Sequence, residues 1–212
     1  MIRTVIFDFD GTLADTSLGI VKTMQATLEK MGLPVTDEHT IRQCIGLPLA
    51  GSVKFGGNVP DNRVEEGVRT YRELFDGIAM PSITLFDGVK DTLLELKRRG
   101  YALAIATSRG TRSLSLILEA HGISDIFDFI ATSNGNYKPK TAPDMVLYIL
   151  EQLGAKAEET IVIGDTTFDI DMGSSAGCAT CAVTYGNHDR ATLLTSRPDH
   201  IADRMPDILE FL

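Results

Sequence analysis

Hydrophobic and polar positions follow two regimes along the chain. From Asp87 onward, short apolar runs alternate with amphipathic stretches closed by glycine, the pattern of a parallel sheet with helical crossovers. Lys90–Arg99 reads as a helix stopped by Gly100, followed by the apolar strand Tyr101–Ala106. A helix with Leu114, Ile117 and Leu118 on one face stops at Gly122, and Phe129–Ala131 makes a short strand. Pro143 opens a helix that runs to Leu153 and closes at Gly154, because proline fits a first helical turn and glycine the residue after the last. Thr160–Ile163 and Ala179–Val183 are further strands, His200–Ala202 a short edge strand, and Met205–Leu212 the last helix. Ahead of them all stands the apolar run Val5-Ile6-Phe7, read as the first strand.

Between Ser17 and Ala79 the pattern changes. Ile20, Met24, Leu28 and Met31 form a helical stripe ended by Gly32, and Val64, Val68, Tyr71 and Phe75 form another, with no comparable strand signal. The expectation is an α/β fold: a Rossmann-like parallel sheet core with helices on both faces, built from residues 1–16 and 80–212, and an all-helical domain, 17–79, inserted after the first strand.

Composition narrows the function. The 212 residues are 43% hydrophobic and 23% charged, ordinary for a globular chain that buries a core. No apolar stretch approaches a membrane span, and no basic-then-apolar signal region precedes the first strand, so a cytoplasmic protein is expected. A formal net charge of -9 argues against nucleic acid or an anionic membrane as partner, since both demand a basic face. Three cysteines, Cys44, Cys178 and Cys181, are too few for a disulfide framework. Cys178 and Cys181 have the spacing of a redox or zinc half-site, but no second pair or histidine cluster accompanies them, and they read as small packing residues.

Candidate chemistry collects where predicted strands end, which is where open parallel sheets bind ligands. After Val5-Ile6-Phe7 comes Asp8-Phe9-Asp10-Gly11-Thr12, with two carboxylates on one face of the extended chain. Two anions so close repel unless a cation or proton sits between them. Gly11 permits a sharp turn that exposes amide groups to a bound ligand. Thr107-Ser108 follows the second strand and supplies a hydroxyl and amides suited to an anion. Lys140 precedes the Pro143 helix, and Gly164-Asp165-Thr166-Thr167-Phe168-Asp169 brings two more acids after Ile161-Val162-Ile163. Acids, a lysine and a hydroxyl at successive strand ends are what metal-assisted phosphoryl transfer requires.

In these motifs the chain resembles the phosphatase branch of the haloacid dehalogenase superfamily. Asp8-x-Asp10-Gly11-Thr12 matches the first family motif, Thr107-Ser108 the second, Lys140 the third and Gly164-Asp165-x-x-x-Asp169 the fourth. The helical insert resembles the small cap of that family, and Ile45-Gly46-Leu47-Pro48 resembles the cap loop of phosphoglycolate phosphatase-like members. Two features depart from the pattern. Lys138-Pro139-Lys140-Thr141-Ala142-Pro143 offers two lysine registers; counting back from Asp165 favours Lys140, with Lys138 as the alternative. Arg109 stands after Thr107-Ser108 at a position where relatives vary, which leaves its role open.

The resemblance implies an Mg2+-dependent phosphatase of a small phosphorylated metabolite. Asp8 is the implied nucleophile, Asp10 the acid and base, and Thr107 and Lys140 the holders of the non-transferring oxygens, with Gly11 and Ser108 beside the substrate. The implied metal ligands are Asp8, the Asp10 carbonyl and Asp165, with Asp169 in direct contact or one step behind. Asp10 also separates phosphatase from dehalogenase, because a halide leaving group needs no proton. A phosphomutase of the beta-phosphoglucomutase type uses the same core residues and stays open. A phospho-accepting receiver module gathers similar groups, but is shorter and carries its acceptor on an interior strand. Thr16, Ser17, Arg42 and Lys54 are polar candidates near the entrance. The expected assembly is a monomer or homodimer.

Overall fold

The computed structural model describes residues 1–212. Strand β1 (Thr4–Phe7) is followed by the two-residue β2 (Ala14–Asp15) and then by α1 (Ser17–Lys30), α2 (Glu38–Arg42), the single turn α3 (Leu49–Gly51) and α4 (Val64–Ile78). The chain returns through β3 (Thr84–Leu85), which pairs antiparallel with β2. A two-stranded ribbon therefore carries the helical segment. The hydrophobic pattern predicts neither strand, because two residues are too few to show an alternation.

From there strands and helices alternate: α5 (Val89–Arg98), β4 (Ala102–Ala106), α6 (Thr111–His121), β5 (Phe129–Ala131), α7 (Asp144–Leu153), β6 (Thr160–Gly164), α8 (Thr167–Ser175), β7 (Ala179–Val183), α9 (Arg190–Thr195) and β8 (His200–Ala202). The strands form one parallel sheet in the order β5-β4-β1-β6-β7-β8, with His200–Ala202 at an edge as expected. Central β1 sets Ile6 opposite Ala104 on one side and Val162 on the other. Beyond it the chain first builds outward through β4 and β5, then crosses back to β6. Such a reversal opens a crevice beyond the strand ends.

Both faces of the sheet are covered, which is why its strands read as unbroken apolar runs rather than alternating ones. Val5, Phe7, Leu103, Ile105, Ile161 and Ile163 pack with Leu93, Leu96, Leu114 and Ile117 of α5 and α6. Ile6, Ala104 and Val162 point the other way, onto Met145, Val146 and Ile149 of α7 and Met172 of α8. Cys178 and Cys181 are free, buried thiols within these clusters, and burial pushes them up to about 11 and about 12 respectively.

In the helical segment, Val21, Met24 and Leu28 of α1 meet Tyr71 and Phe75 of α4 in the same apolar cluster as the α5 and α6 side of the sheet, joined through Phe9, Leu13 and Ala14. The C-terminal segment, expected as the last helix over Met205–Leu212, is the 3-10 helix Met205–Glu210. So short a run, with Pro206 in its first turn, gains too few i to i+4 hydrogen bonds to favour the wider helix.

Candidate active site

The sheet ladder carries Asp8 to the end of β1, where its amide donates to the Ile163 carbonyl at 2.9 Å. The Thr107 amide likewise donates to Ala131 at 3.0 Å. Asp165 follows β6 directly, and Asp169 lies in the first turn of α8. The ends of β1, β4 and β6 thus converge on one place.

Lys140 is the hinge of the arrangement. Its Nζ lies 2.6 Å from Asp8 Oδ1 and 2.6 Å from Asp169 Oδ1, with all three side chains buried. Lys138 is exposed, so of the two registers Lys140 is the one the fold brings inside. The second Asp169 oxygen accepts from the Thr166 amide at 3.1 Å and hydroxyl at 2.7 Å, fixing the carboxylate at the helix start. Asp165 accepts from Thr12 Oγ1 at 3.0 Å and from the amide and Nδ2 of Asn187 at 2.7 and 2.8 Å. Asp8 Oδ2 is buried and accepts from nothing.

Burial, reinforced by Asp169, Asp165 and Asp10, raises the Asp8 carboxyl well above the usual range against the pull of Lys140. Burial and the neighbouring Asp169 push Asp165 up to about 7, with Asn187 and Thr12 opposing. Burial pulls the Lys140 ammonium down, but Asp169 and Asp8 outweigh it and hold it above its ordinary value. These directions are the signature of too many anions for the cations present: three carboxylates face one ammonium.

Oxygen atoms of Asp8, Asp165 and Asp169 lie within 4.8 Å of one another. An all-oxygen set of this kind, with one orphaned buried carboxylate oxygen, fits a hard divalent cation. Asn187 Nδ2 also reaches the Asp10 carbonyl at 3.4 Å, which puts that oxygen beside the Asp165 carboxylate. Gly11, at φ +91°, turns the chain so tightly over Asp165 that a β-carbon there would overlap the carboxylate. Its absence of a side chain therefore serves the acid cluster.

The Asp10 side chain belongs to a separate group. Arg109 Nε donates to both its oxygens, at 3.0 and 3.1 Å, and Thr16 Oγ1 donates at 2.7 Å. The guanidinium is buried and lies over the Phe75 ring of α4, 4.8 Å from its centroid. Burial opposes the Arg109 charge, but Asp10 outweighs it and keeps the guanidinium ionised. The two acids of the first motif therefore do not share one counter-charge. Asp8 has Lys140 and Asp10 has Arg109.

Thr107 is buried, lines the site, and accepts the Arg109 amide on its hydroxyl at 3.1 Å. Ser108, expected beside the substrate, gives its hydroxyl to the Gly46 carbonyl at 2.7 Å, tying the loop before α3 to the sheet. The polar entrance candidates lie elsewhere. Thr16 holds Asp10; Ser17 bonds Asp15 at 2.9 Å; Arg42 pairs with Glu38 at 2.7 Å and Lys54 with Asp61 at 2.8 Å. None of these four lines the main cavity, because local acids at short sequence distance or on the surface claim them.

That cavity, about 760 Å³, opens between the strand ends and the helical segment. Asp8, Asp10, Thr107 and Arg109 reach it from the sheet, and Ile20, Met24, Leu47, Leu49, Tyr71 and Phe75 from the helices. Sequence reasoning missed Arg109 as the partner of Asp10, Thr12 and Asn187 as the holders of Asp165, and Thr166 as the anchor of Asp169. Asn187 was findable: Tyr185-Gly186-Asn187 follows β7 and is one more polar turn at a strand end.

Comparison with known proteins gives the family and the fold. Residues 5–183 match the family model described as haloacid dehalogenase-like hydrolase. A Dickeya dadantii protein named "Probable phosphatase IndB" is 38% identical over 97% of this chain and 91% of its own. The pyrophosphatase PpaX of Halalkalibacterium halodurans is 32% identical over 100% of this chain and 97% of its own. Among solved structures, a predicted phosphoglycolate phosphatase from Haemophilus somnus superposes with a TM-score of 0.92 at 26% identity, covering 99% of this chain and 97% of that one.

Proposed function

The chain belongs to the haloacid dehalogenase-like hydrolases, and from that premise we propose that it is an Mg2+-dependent phosphatase acting on a small phosphorylated metabolite through an aspartyl phosphate. The observation that carries this reading is Asp8: one carboxylate oxygen held by Lys140, the other buried and unpartnered at the cavity floor. A carboxylate so fixed has one oxygen free to attack phosphorus. The names of the relatives, which include a phosphatase and a pyrophosphatase, point to the same reaction class.

Asp8, Asp165 and the Asp10 carbonyl would hold the metal, with Asp169 beside them, and the bound ion would neutralise charge on the phosphoryl oxygens. Lys140 orients Asp8 and supplies positive charge where the transferring group gathers negative charge. Thr107 presents its hydroxyl to the same space. Asp10 delivers a proton to the departing alkoxide and then takes one from the water that attacks the aspartyl phosphate. For the first of these tasks its pair with Arg109 has to loosen, so Arg109 sets when the acid is available.

The test is phosphate release from a panel of small phosphate esters with Mg2+ or EDTA, run beside Asp8→Asn. Metal-dependent release that the substitution abolishes, together with acid-stable phosphate trapped on the wild-type chain, is the expected outcome. Full activity in EDTA or in the variant would overturn the mechanism. Phosphate uptake on Asp8 without release would favour a receiver-type module instead.

A further inference from the structure

The cavity is large for a phosphatase of a two-carbon acid, and it is large with the helices already seated. Ser108 Oγ holds Gly46 at 2.7 Å, Arg112 of α6 pairs with Asp76 of α4 at 2.7 Å, and Arg109 lies against Phe75. Three separate contacts thus join the helical segment to the sheet side around the cavity mouth. The space they leave, about 760 Å³, falls within the roughly 300–1,000 Å³ that encloses ligands of drug-like size.

The walls differ in kind. Most of the charge is on the sheet side, in Asp8, Asp10, Arg109 and Arg112, and Arg72 of α4 is the one charged residue that the helical side contributes. Opposite them Ile20, Leu47 and Leu49 are only half-buried, and behind these Tyr71 and Phe75 are buried in the core and reach the cavity only at their edges. Ile20 and Leu47 belong to no apolar cluster of the molecule, so their side chains have not been claimed by the folding core. Leaving such surface wet costs free energy that a ligand can recover. A two-carbon acid anchored by its phosphate at Asp8 would be too short to cover it.

We infer that the leaving alcohol of the substrate carries a ring-sized apolar face, which packs against the half-buried Ile20, Leu47 and Leu49, with Tyr71 and Phe75 behind them, while its phosphate sits at Asp8. This assignment rests on the phosphatase reading for the position of the phosphate, and on the cavity walls for the rest. The selectivity is geometric and hydrophobic, and the residues that set it lie on α1, on the loop before α3 and on α4. They are specificity residues rather than participants in the chemistry.

The experiment compares 2-phenylethyl phosphate with ethyl phosphate, two primary alkyl esters whose alcohols are similar leaving groups, so that their difference reports the ring. With Mg2+ present, kcat/KM is expected to favour the phenylethyl ester by about 10- to 100-fold, the range that burial of one aromatic side chain supplies. Leu47→Trp and Ile20→Trp, which fill the pocket, are expected to narrow that ratio. In parallel, calorimetry with 2-phenylethylphosphonate and ethylphosphonate reads the same preference without turnover, and does not depend on either variant folding. A ratio of one or below in both turnover and binding overturns the inference. Equal binding with equal turnover leaves the phosphatase reading intact and removes only the pocket assignment. A binding preference without turnover of any ester supports the pocket assignment and overturns the phosphatase reading.

Discussion

Asp8 on the sheet side of the cavity, and Asp165, Asp169 and Lys140 clustered with it, are buried almost completely, and nearly every polar atom they carry is bonded, whereas Ile20, Leu47 and Leu49 on the helical side are half-buried. On the first surface a change of half an ångström would break a charge-assisted hydrogen bond inside a medium of low dielectric. On the second it would shift a few dispersion contacts, each individually small. One side of the cavity is therefore rigid and the other adaptable. The first side also concentrates buried cations in a chain of net charge -9: Lys140 stands against Asp8 and Arg109 against Asp10.

The sharpest way to break this contrast is to cross it with mutations. Asp8→Asn is expected to lower kcat at least roughly 10,000-fold with the circular dichroism spectrum unchanged, while Leu47→Ala changes kcat by less than about tenfold and acts through KM. Comparable losses in kcat from the two would erase the distinction.

Next in size is Lys140→Met. Removing the only ammonium between Asp8 and Asp169 leaves buried carboxylates uncompensated, and urea denaturation in EDTA should show a loss of about 3–5 kcal/mol. A variant as stable as the parent would mean that the carboxylates are not charged in the folded metal-free protein.

The acid cluster also predicts a pH dependence with a definite sign. Asp165, ordinarily at 3.8, is raised to about 7 in the folded chain, and Asp8 is raised as well. Between those values the folded metal-free protein binds more protons than the unfolded one, so this contribution to stability is present at low pH and declines as pH rises toward 7. Mg2+ must displace those protons, so its affinity should rise by about tenfold per pH unit for each proton released, levelling off above about 7. Melting temperatures with Mg2+ or EDTA at pH 6 and pH 8 check this: the metal-induced increase should be larger at pH 8. An equal increase at both would show that the acids bind the ion without losing protons.

The smallest expected effect lies at the joint between the two surfaces. Ser108→Ala removes the hydroxyl that holds Gly46 and should cost about 0.5–1.5 kcal/mol, read as a small drop in melting temperature with a few-fold rise in KM. An unchanged KM would indicate that the loop before α3 is held by packing on Phe168 and Thr166 instead.

The fold was legible where elements are long. Gly100, Gly122 and Gly154 mark the ends of α5, α6 and α7 in the sequence as they do in space, and each has a positive φ there. The β2 and β3 ribbon was not legible, because its pairing joins residues about seventy positions apart and shows no local pattern. In the site, the acids announce themselves by position after apolar strands, whereas the sequence offered Lys138 beside Lys140 and only the fold, which buries Lys140 and exposes Lys138, separates them. Arg109 did not announce itself, since a guanidinium after a strand could equally point to solvent. Its bond to Asp10 spans 99 residues and depends on how β4 is set beside β1.

The sequence by itself determined the residue types at the strand ends and the alternation that brings those ends to one edge of a parallel sheet, since both follow from local periodicity and from the burial of apolar runs. Only the tertiary structure decided which cation meets which acid, that Asp8 keeps one oxygen free, that Ser108 holds a loop, and that the cavity facing Asp8 has an apolar far wall. Those are distances between segments remote in the chain, and no local pattern encodes a distance of that kind.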